Sequence, residues 1–382
     1  MSSTALPLRG IRVIELCWVW SGPLLGQLLA DLGAEVIKVE WYKRFDLYRT
    51  RGVERLKNKV PEEVRREMSQ SFHGLNRNKI GVTLDLKDPE HKQALLDLAK
   101  KSDLVIENFT AGTLDRLGVG YEALARENPA IVLLSLAGFG ATSRLADMRA
   151  YGLALSSLSG LESVVVDPKD GAFLGSPTFV SSDPNAATYG LISAVAAVLD
   201  ARREGRGAYV EVSQLEAAAH VGADDDDALI AFARSLGLDA KLPAQATAII
   251  PTADENYLCV DWQGRVEPKR FDALRQTVSG LSLNHALVLL KQHGIPGLRV
   301  TEKPAEFGAG AAEEGTLLST IHPVSGEENI VAAPWWIDGR RAPLRKTAPT
   351  LGEGNAYVLG RLLGWAPDRY ANLAQRAEGG DD

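Results

Sequence analysis

Cysteine is scarce: Cys17 and Cys259 are the two in 382 residues. That is too few for a disulfide framework or a cysteine-rich zinc site, and it suits a reducing compartment. Basic charge is not in excess. Forty-two Lys and Arg face 49 Asp and Glu, a net charge of −7, so the chain has no electrostatic footprint for nucleic acid. No apolar run reaches the roughly 18 residues of a membrane span, and the opening MSSTALPLRG lacks the basic and apolar regions of a secretory leader. The six histidines, His73, His91, His220, His285, His293 and His322, show no metal spacing such as H-E-x-x-H. The dinucleotide fingerprint is missing after the first β-rich run, where only Gly22 and Gly26 stand, and no P-loop occurs. NAD and P-loop ATP chemistry are therefore unsupported. The expectation is a soluble, cytoplasmic protein that uses no metal, nucleic acid or membrane.

What is present is enough apolar sequence, 45% of the chain, to bury a large core, and a length that suits two domains. IRVIEL (11–16) reads as a strand, LLGQLLADLG as a helix with Leu24, Leu28, Leu29 and Leu32 in register, and VIKVE (36–40) as a second strand. This β-α-β opening has the size of a parallel crossover unit. Strands at 80–84, 103–107 and 131–136 alternate with helices, the one at 89–101 opened by Asp88-Pro89, so the fold class is α/β with a doubly wound parallel sheet. Ligands of such a sheet sit beyond the carboxyl ends of its strands, where NRNK, ENF and AGFG fall. The charged stretch 41–71 reads as a solvated surface insertion, with a helix over 62–69. From 222 to 320 the pattern loosens into a smaller α+β domain with linkers. The large domain then spans 1–215 and is completed by 321–382. The aspartates 224–227 lack the spacing and mid-loop glycine of a helix-loop-helix calcium site.

Residues 181–207, SSDPNAATYGLISAVAAVLDARREGRG, form the stretch around which the rest is organised. Asp183-Pro184 fits a helix start, and the helix that follows is small-residue, apolar and suited to burial. A carboxylate there is either a helix cap or a chemical group.

Taken together, LRGIRVIEL…SGPLLGQLLADLGAEVIKVE, LNRNKIGVTLDLK, ENFTAGTLDRLGVGYEALARENPAIVLLSLAGFG, the Asp183 segment with ARREGRG, VEVSQLEAA, HPVSG and APTLGE resemble the class III CoA-transferases, the CaiB/BaiF and formyl-CoA transferase-like family. The likeness is weakest at 41–71 and 222–280. It implies a Rossmann-like large domain with a smaller one, in an interlaced homodimer or a heterodimer with a paralogous subunit. It implies acyl-CoA and carboxylic acid substrates, with coenzyme A passed through covalent aspartyl intermediates on Asp183. For the CoA site it implies Val19, Trp20, Leu75, Lys79, Asn108, Phe109 and Arg116, an apolar wall for adenine with cations for the phosphates. Structural roles stay open for these: Asn108 as a helix cap, Phe109 and Trp18 or Trp20 as core.

The chain also departs from the family. Ala150-Tyr151-Gly152 stands where members often carry Gly-Tyr-Asp or Gly-His-Asp, Ala187 where many have glycine, and 245–265 holds no glycine-rich closing loop. The missing histidine argues against the proton transfer of α-methylacyl-CoA racemases. Racemase or epimerase chemistry, and a non-catalytic subunit of a heteromeric transferase, remain the alternatives.

Overall fold

The computed structural model describes residues 6–149, 151–160, 181–222, 247–262, 268–300, 316–371 and 373–374. The aspartates 224–227 lie outside the described residues. Contacts divide the chain into residues 1–223 with 314–382, and residues 224–313.

In the first unit the chain runs β1 (Arg12–Leu16), α1 (Ser21–Asp31), β2 (Glu35–Glu40), α2 (Glu62–Arg65), α3 (Gln70–Asn76), β3 (Lys79–Thr83), α4 (Pro89–Ala99), β4 (Leu104–Glu107), α5 (Thr113–Leu117), α6 (Tyr121–Glu127) and β5 (Val132–Ser135). It continues with α7 (Gly152–Leu158), α8 (Ser182–Glu204), β6 (Tyr209–Glu211) and α9 (Gln214–Gly222). The six strands form one parallel sheet in the order β3-β2-β1-β4-β5-β6. Successive strand side chains point to opposite faces, and parallel strands are covered on both. Val13, Val36, Leu104 and Leu134 accordingly pack under Leu25 and Leu29 of α1 and Ala186, Ala194 and Val198 of α8. Ile14, Ile37, Val105 and Leu133 pack on the other face with Leu95, Leu98 and Leu124. Asp88 opens α4 as the sequence expects, accepting from Glu90 N at 2.7 Å and His91 N at 3.1 Å. Gly205, with φ +69°, closes α8 in the left-handed conformation that glycine adopts without strain.

The segment from 316 onward also packs in this unit. It holds the hairpin β10–β11 (Leu317–His322 and Gly326–Val331), and further on Asn355 Oδ1 accepts from Thr83 N at 2.9 Å. The second unit, taken by itself, is a three-stranded antiparallel sheet, β7 (Thr247–Pro251), β8 (Tyr257–Asp261) and β9 (Gly297–Arg299). Its helices, α10 (Pro268–Ser279) and α11 (Leu283–Gln292), share a core of Ile250, Leu258, Phe271, Val278 and Leu290.

The reading of 41–71 as a solvated excursion is corrected in part: Lys43, Arg44, Arg51, Glu54, Arg55, Lys57, Lys59, Glu62 and Glu63 are exposed, but Asp46, Arg49 and Glu67 are buried. The helix expected over 62–69 is the single turn α2, and three charged side chains of the stretch turn inward. Arg49 is fully buried, with Nε and Nη2 donating to the two Glu40 carboxylate oxygens at 2.8 Å each, Nη1 to Glu67 at 2.6 Å and Nη2 to Pro349 O at 3.1 Å. Its guanidinium lies 3.7 Å from the Phe72 ring centre. Asp46 is fully buried as well and accepts from Lys38 Nζ at 3.0 Å. A charged run has no periodicity that would reveal such burial. These three can bury because each finds an oppositely charged partner.

Candidate active site

The sheet order reverses between β1 and β4, and the loops leaving these two strands meet at that point, where doubly wound sheets bind ligands. The loop Cys17–Trp20 joins β1 to α1. Asn108, just past β4, brackets its middle: Oδ1 accepts from Trp18 N at 2.9 Å, and Nδ2 donates to Trp18 O at 2.8 Å. The same Nδ2 donates to Ser21 Oγ at 3.2 Å. Val19 sits at φ +72°, an unfavourable conformation for a β-branched residue, and its N–H donates to Asp46 Oδ1 at 2.9 Å. Trp20 holds the capping position of α1 without a side-chain cap bond.

Asp183 meets this loop from α8. Ser181 occupies the cap position of α8, so Asp183 lies inside the first helical turn, not at the N-cap. Its Oδ1 accepts from Ser21 N, the first N–H of α1, at 3.2 Å. The N-termini of two helices thus converge on one carboxylate, and both dipoles favour negative charge there. Burial nevertheless pushes its pKa up, against the lowering effect of the Ser21 N–H and hydroxyl. Asp183 is 9% exposed, and among the described residues no basic side chain forms an ion pair with it. Other buried carboxylates are paired, Glu15 with Lys38 and Lys79, Asp46 with Lys38, Glu40 with Arg49 and Asp31 with Arg77, whereas Glu107 at the end of β4 shares the lack of an ion pair among the described residues but sits at no helix N-terminus.

The remaining residues singled out in the sequence fall into four places. Val19, Trp20, Asn108 and Phe109 gather around the Asp183 loop, with the Trp18 and Phe109 rings edge to face at 5.8 Å. Leu75 lies half-buried on α3. Lys79, expected to reach a phosphate, is fully buried, and its ammonium donates to Glu15 at 3.0 Å, Pro23 O at 2.8 Å and Asn76 Oδ1 at 2.8 Å. All three donors are taken within the fold, and burial, opposed by Glu15 and reinforced by Lys38, brings its pKa down to about 8. Gly26 permits this cluster, since a Cβ there would fall 1.8 Å from Glu15 Oε2. Arg116, exposed on α5, donates to Thr113 Oγ1 at 2.9 Å and lines a cleft of about 890 Å³ with Glu107, Asp115, Tyr121, Asp147 and Tyr209. Burial lifts the Glu107 carboxyl to about 7, while Phe109 N donates to its Oε2 at 2.7 Å.

Sequence reading missed Ser21 and Asp46. Ser21 gives no signal beyond its place at a helix start, and Asp46 was hidden in a stretch taken as solvated. Among the described residues no three His, Cys, Asp or Glu side chains are grouped as a metal site would require, and no helix is long and apolar enough to cross a membrane.

Comparison with known proteins bears on this arrangement. A family model described as CoA-transferase family III matches residues 8–225. The chain is 34% identical to a succinate–glutarate CoA-transferase of Agrobacterium fabrum over 250 residues, 65% of this chain but only 61% of that relative. It is 27% identical to a succinyl-CoA–D-citramalate CoA-transferase of Chloroflexus aurantiacus, across 96% of both chains. In fold it matches the crystal structure of a CaiB/BaiF family protein from Brucella suis with a TM-score of 0.74, at 22% identity over 93% of this chain and 99% of that one.

Proposed function

Because the chain belongs to CoA-transferase family III, we propose that it moves CoA from an acyl-CoA donor to a free carboxylic acid, with Asp183 as the nucleophile. The observation that carries this reading is a buried carboxylate without an ion-pair partner among the described residues, held at the N-termini of α1 and α8. A carboxylate neutralised by a guanidinium is a poor nucleophile. One stripped of water and steadied only by N–H groups and dipoles retains its electron pairs for attack.

In the proposed cycle an Asp183 oxygen attacks the thioester carbonyl carbon. The C–S bond breaks, CoA leaves as thiolate, and a mixed anhydride remains. The thiolate then attacks the Asp183 carbonyl carbon, the anhydride C–O bond breaks, and the donor acid departs as carboxylate. The product is an aspartyl-CoA thioester. An acceptor carboxylate repeats the two steps in reverse order, leaving acceptor acyl-CoA and free Asp183. No proton is consumed, so the cycle needs a nucleophile and charge stabilisation but no general base. The loop Cys17–Trp20, clamped by Asn108, and Phe109 beside it would border the thioester, and Arg116 would meet phosphate of the CoA. The resemblance also has the chain working as one of two interlaced copies, which sedimentation at twice the 41.1 kDa chain mass would check.

Mass spectrometry after mixing the protein with a panel of acyl-CoA thioesters and trapping with hydroxylamine or borohydride tests the mechanism. An adduct on the peptide containing Asp183, lost in Asp183→Ala, is expected. If CoA binds but no thioester leaves an adduct, the nucleophile reading falls. Deuterium exchange at the α-carbon without any acceptor acid would then favour racemase chemistry.

A further inference from the structure

The turn from Asp46 to Arg51 hangs on the same atom as the active-site loop. Asp46 Oδ1 accepts from Val19 N at 2.9 Å and from Tyr48 N at 3.0 Å, so Tyr48 is fixed next to the loop that delivers Ser21 to Asp183. The rest of the turn is equally constrained. The buried Ser69 hydroxyl lies 2.6 Å from the carbonyl oxygens of both Tyr48 and Arg51, and Arg49 between them is anchored in the core by Glu40 and Glu67.

This rigid turn presents a half-buried phenol and an exposed guanidinium side by side. Arg51 Nη1 donates to Tyr48 Oη at 2.7 Å, and the guanidinium carbon stands 4.9 Å from the Tyr48 ring centre. Among the described residues Arg51 forms no ion pair with a carboxylate, unlike Arg49 two residues earlier. Asp183 lies within electrostatic reach: burial pushes the Tyr48 hydroxyl pKa up, Arg51 pulls it down, and the charge on Asp183 pushes it up again. A guanidinium held by one of its five N–H groups, with no further partner among the described residues, is shaped for an oxyanion. The reacting carboxylate of an acid substrate has to approach Asp183 itself at the helix N-termini, so the Tyr48–Arg51 pair is left for a different anion.

We propose that Tyr48 and Arg51 bind the second carboxylate of a dicarboxylic acid whose first carboxylate exchanges CoA at Asp183. The assignment rests on Asp183 as the nucleophile and adds to it the class of acid. A monocarboxylic acid, with an apolar tail at that place, gains nothing from the guanidinium. A diacid gains charge-assisted hydrogen bonds that also orient its far end for attack.

The test compares kcat/KM for succinate and glutarate with that for butyrate, using acetyl-CoA as donor, in the unmodified enzyme and in Arg51→Met and Tyr48→Phe. The unmodified enzyme is expected to favour the diacids. Arg51→Met is expected to lower the diacid-to-butyrate ratio by roughly tenfold or more, Tyr48→Phe by less, and Arg51→Lys to restore part of the loss. Because the readout is a ratio within each protein, a general loss of folded enzyme does not imitate it. An unchanged ratio overturns the proposal, as does an unmodified enzyme with no preference for diacids. A rise in the KM for acetyl-CoA by the same factor also overturns it, since the pair would then serve CoA phosphate. The Asp183 adduct formed with acetyl-CoA in the absence of acid separates the two readings. A retained adduct with an unchanged ratio removes only the diacid site, whereas no adduct with acetyl-CoA or any other thioester of the panel removes both.

Discussion

Asp183→Asn is expected to lower kcat by on the order of 10⁴-fold or more while leaving the protein folded. The amide keeps an oxygen to accept the Ser21 N–H, which in the native protein reaches Asp183 Oδ1 at 3.2 Å. What it removes is the oxygen that forms the anhydride and then the CoA thioester. The native carboxylate is disfavoured by burial and is not offset by any ion pair among the described residues, so the neutral replacement should unfold at equal or higher urea concentration. Steady-state rates, urea unfolding and intact mass after incubation with acyl-CoA check the three parts. Turnover within about tenfold of the native enzyme would sink the nucleophile assignment, because no other group could then be standing in so well.

The second large effect concerns stability. Arg49→Met is expected to cost about 3–5 kcal/mol at neutral pH, since it leaves the carboxylates of Glu40 and Glu67 buried without their cation. The loss should depend on pH in a stated direction. In the native protein burial pushes the Glu40 carboxyl up, but the Arg49 guanidinium, joined by Lys38 and the Asp46 N–H, outweighs it and the pKa falls from 4.5 to about 2. That group therefore adds stability above pH 4.5, which is lost as pH falls toward 2. Without Arg49 the upward push of burial is opposed only by Lys38 and the Asp46 N–H, so the variant's deficit should be greatest near neutrality and narrow below pH 4.5. Urea unfolding between pH 4 and 8 measures it. A deficit below about 1 kcal/mol, or one independent of pH, would mean that 41–71 is not held by these buried pairs.

The alternation of strands and helices was legible because it depends on local periodicity. A parallel sheet covered on both faces needs apolar strands with helices at crossover spacing, and Val13–Ile14, Val36–Ile37 and Leu104–Val105 send their side chains to the two faces in turn. The Asp88-Pro89 cap was legible for the same reason, since a cap is made within four residues. Asn108 was less so. The sequence marked it as a candidate without distinguishing a helix cap from a ligand, and it brackets Trp18 across 90 residues instead. Lys79 looked like a phosphate ligand until the fold enclosed its ammonium with Glu15, which comes from β1.

By itself the sequence determined the class of fold and the prominence of Asp183, because both follow from short-range patterns: side-chain period, helix-start chemistry and the order of phrases along the chain. Only the tertiary structure decided which charged groups are structural and which are available for chemistry. Glu15, Lys38, Asp46, Arg49 and Lys79 are all charged residues, and in a linear reading none differs from a solvated one. Burial distinguishes them, because a charge removed from water must find a partner, and these partners come from separate strands and turns. Asp183 differs from them in one respect that no local pattern encodes: the fold buries it next to N–H groups and two helix ends without supplying a countercharge from the described residues.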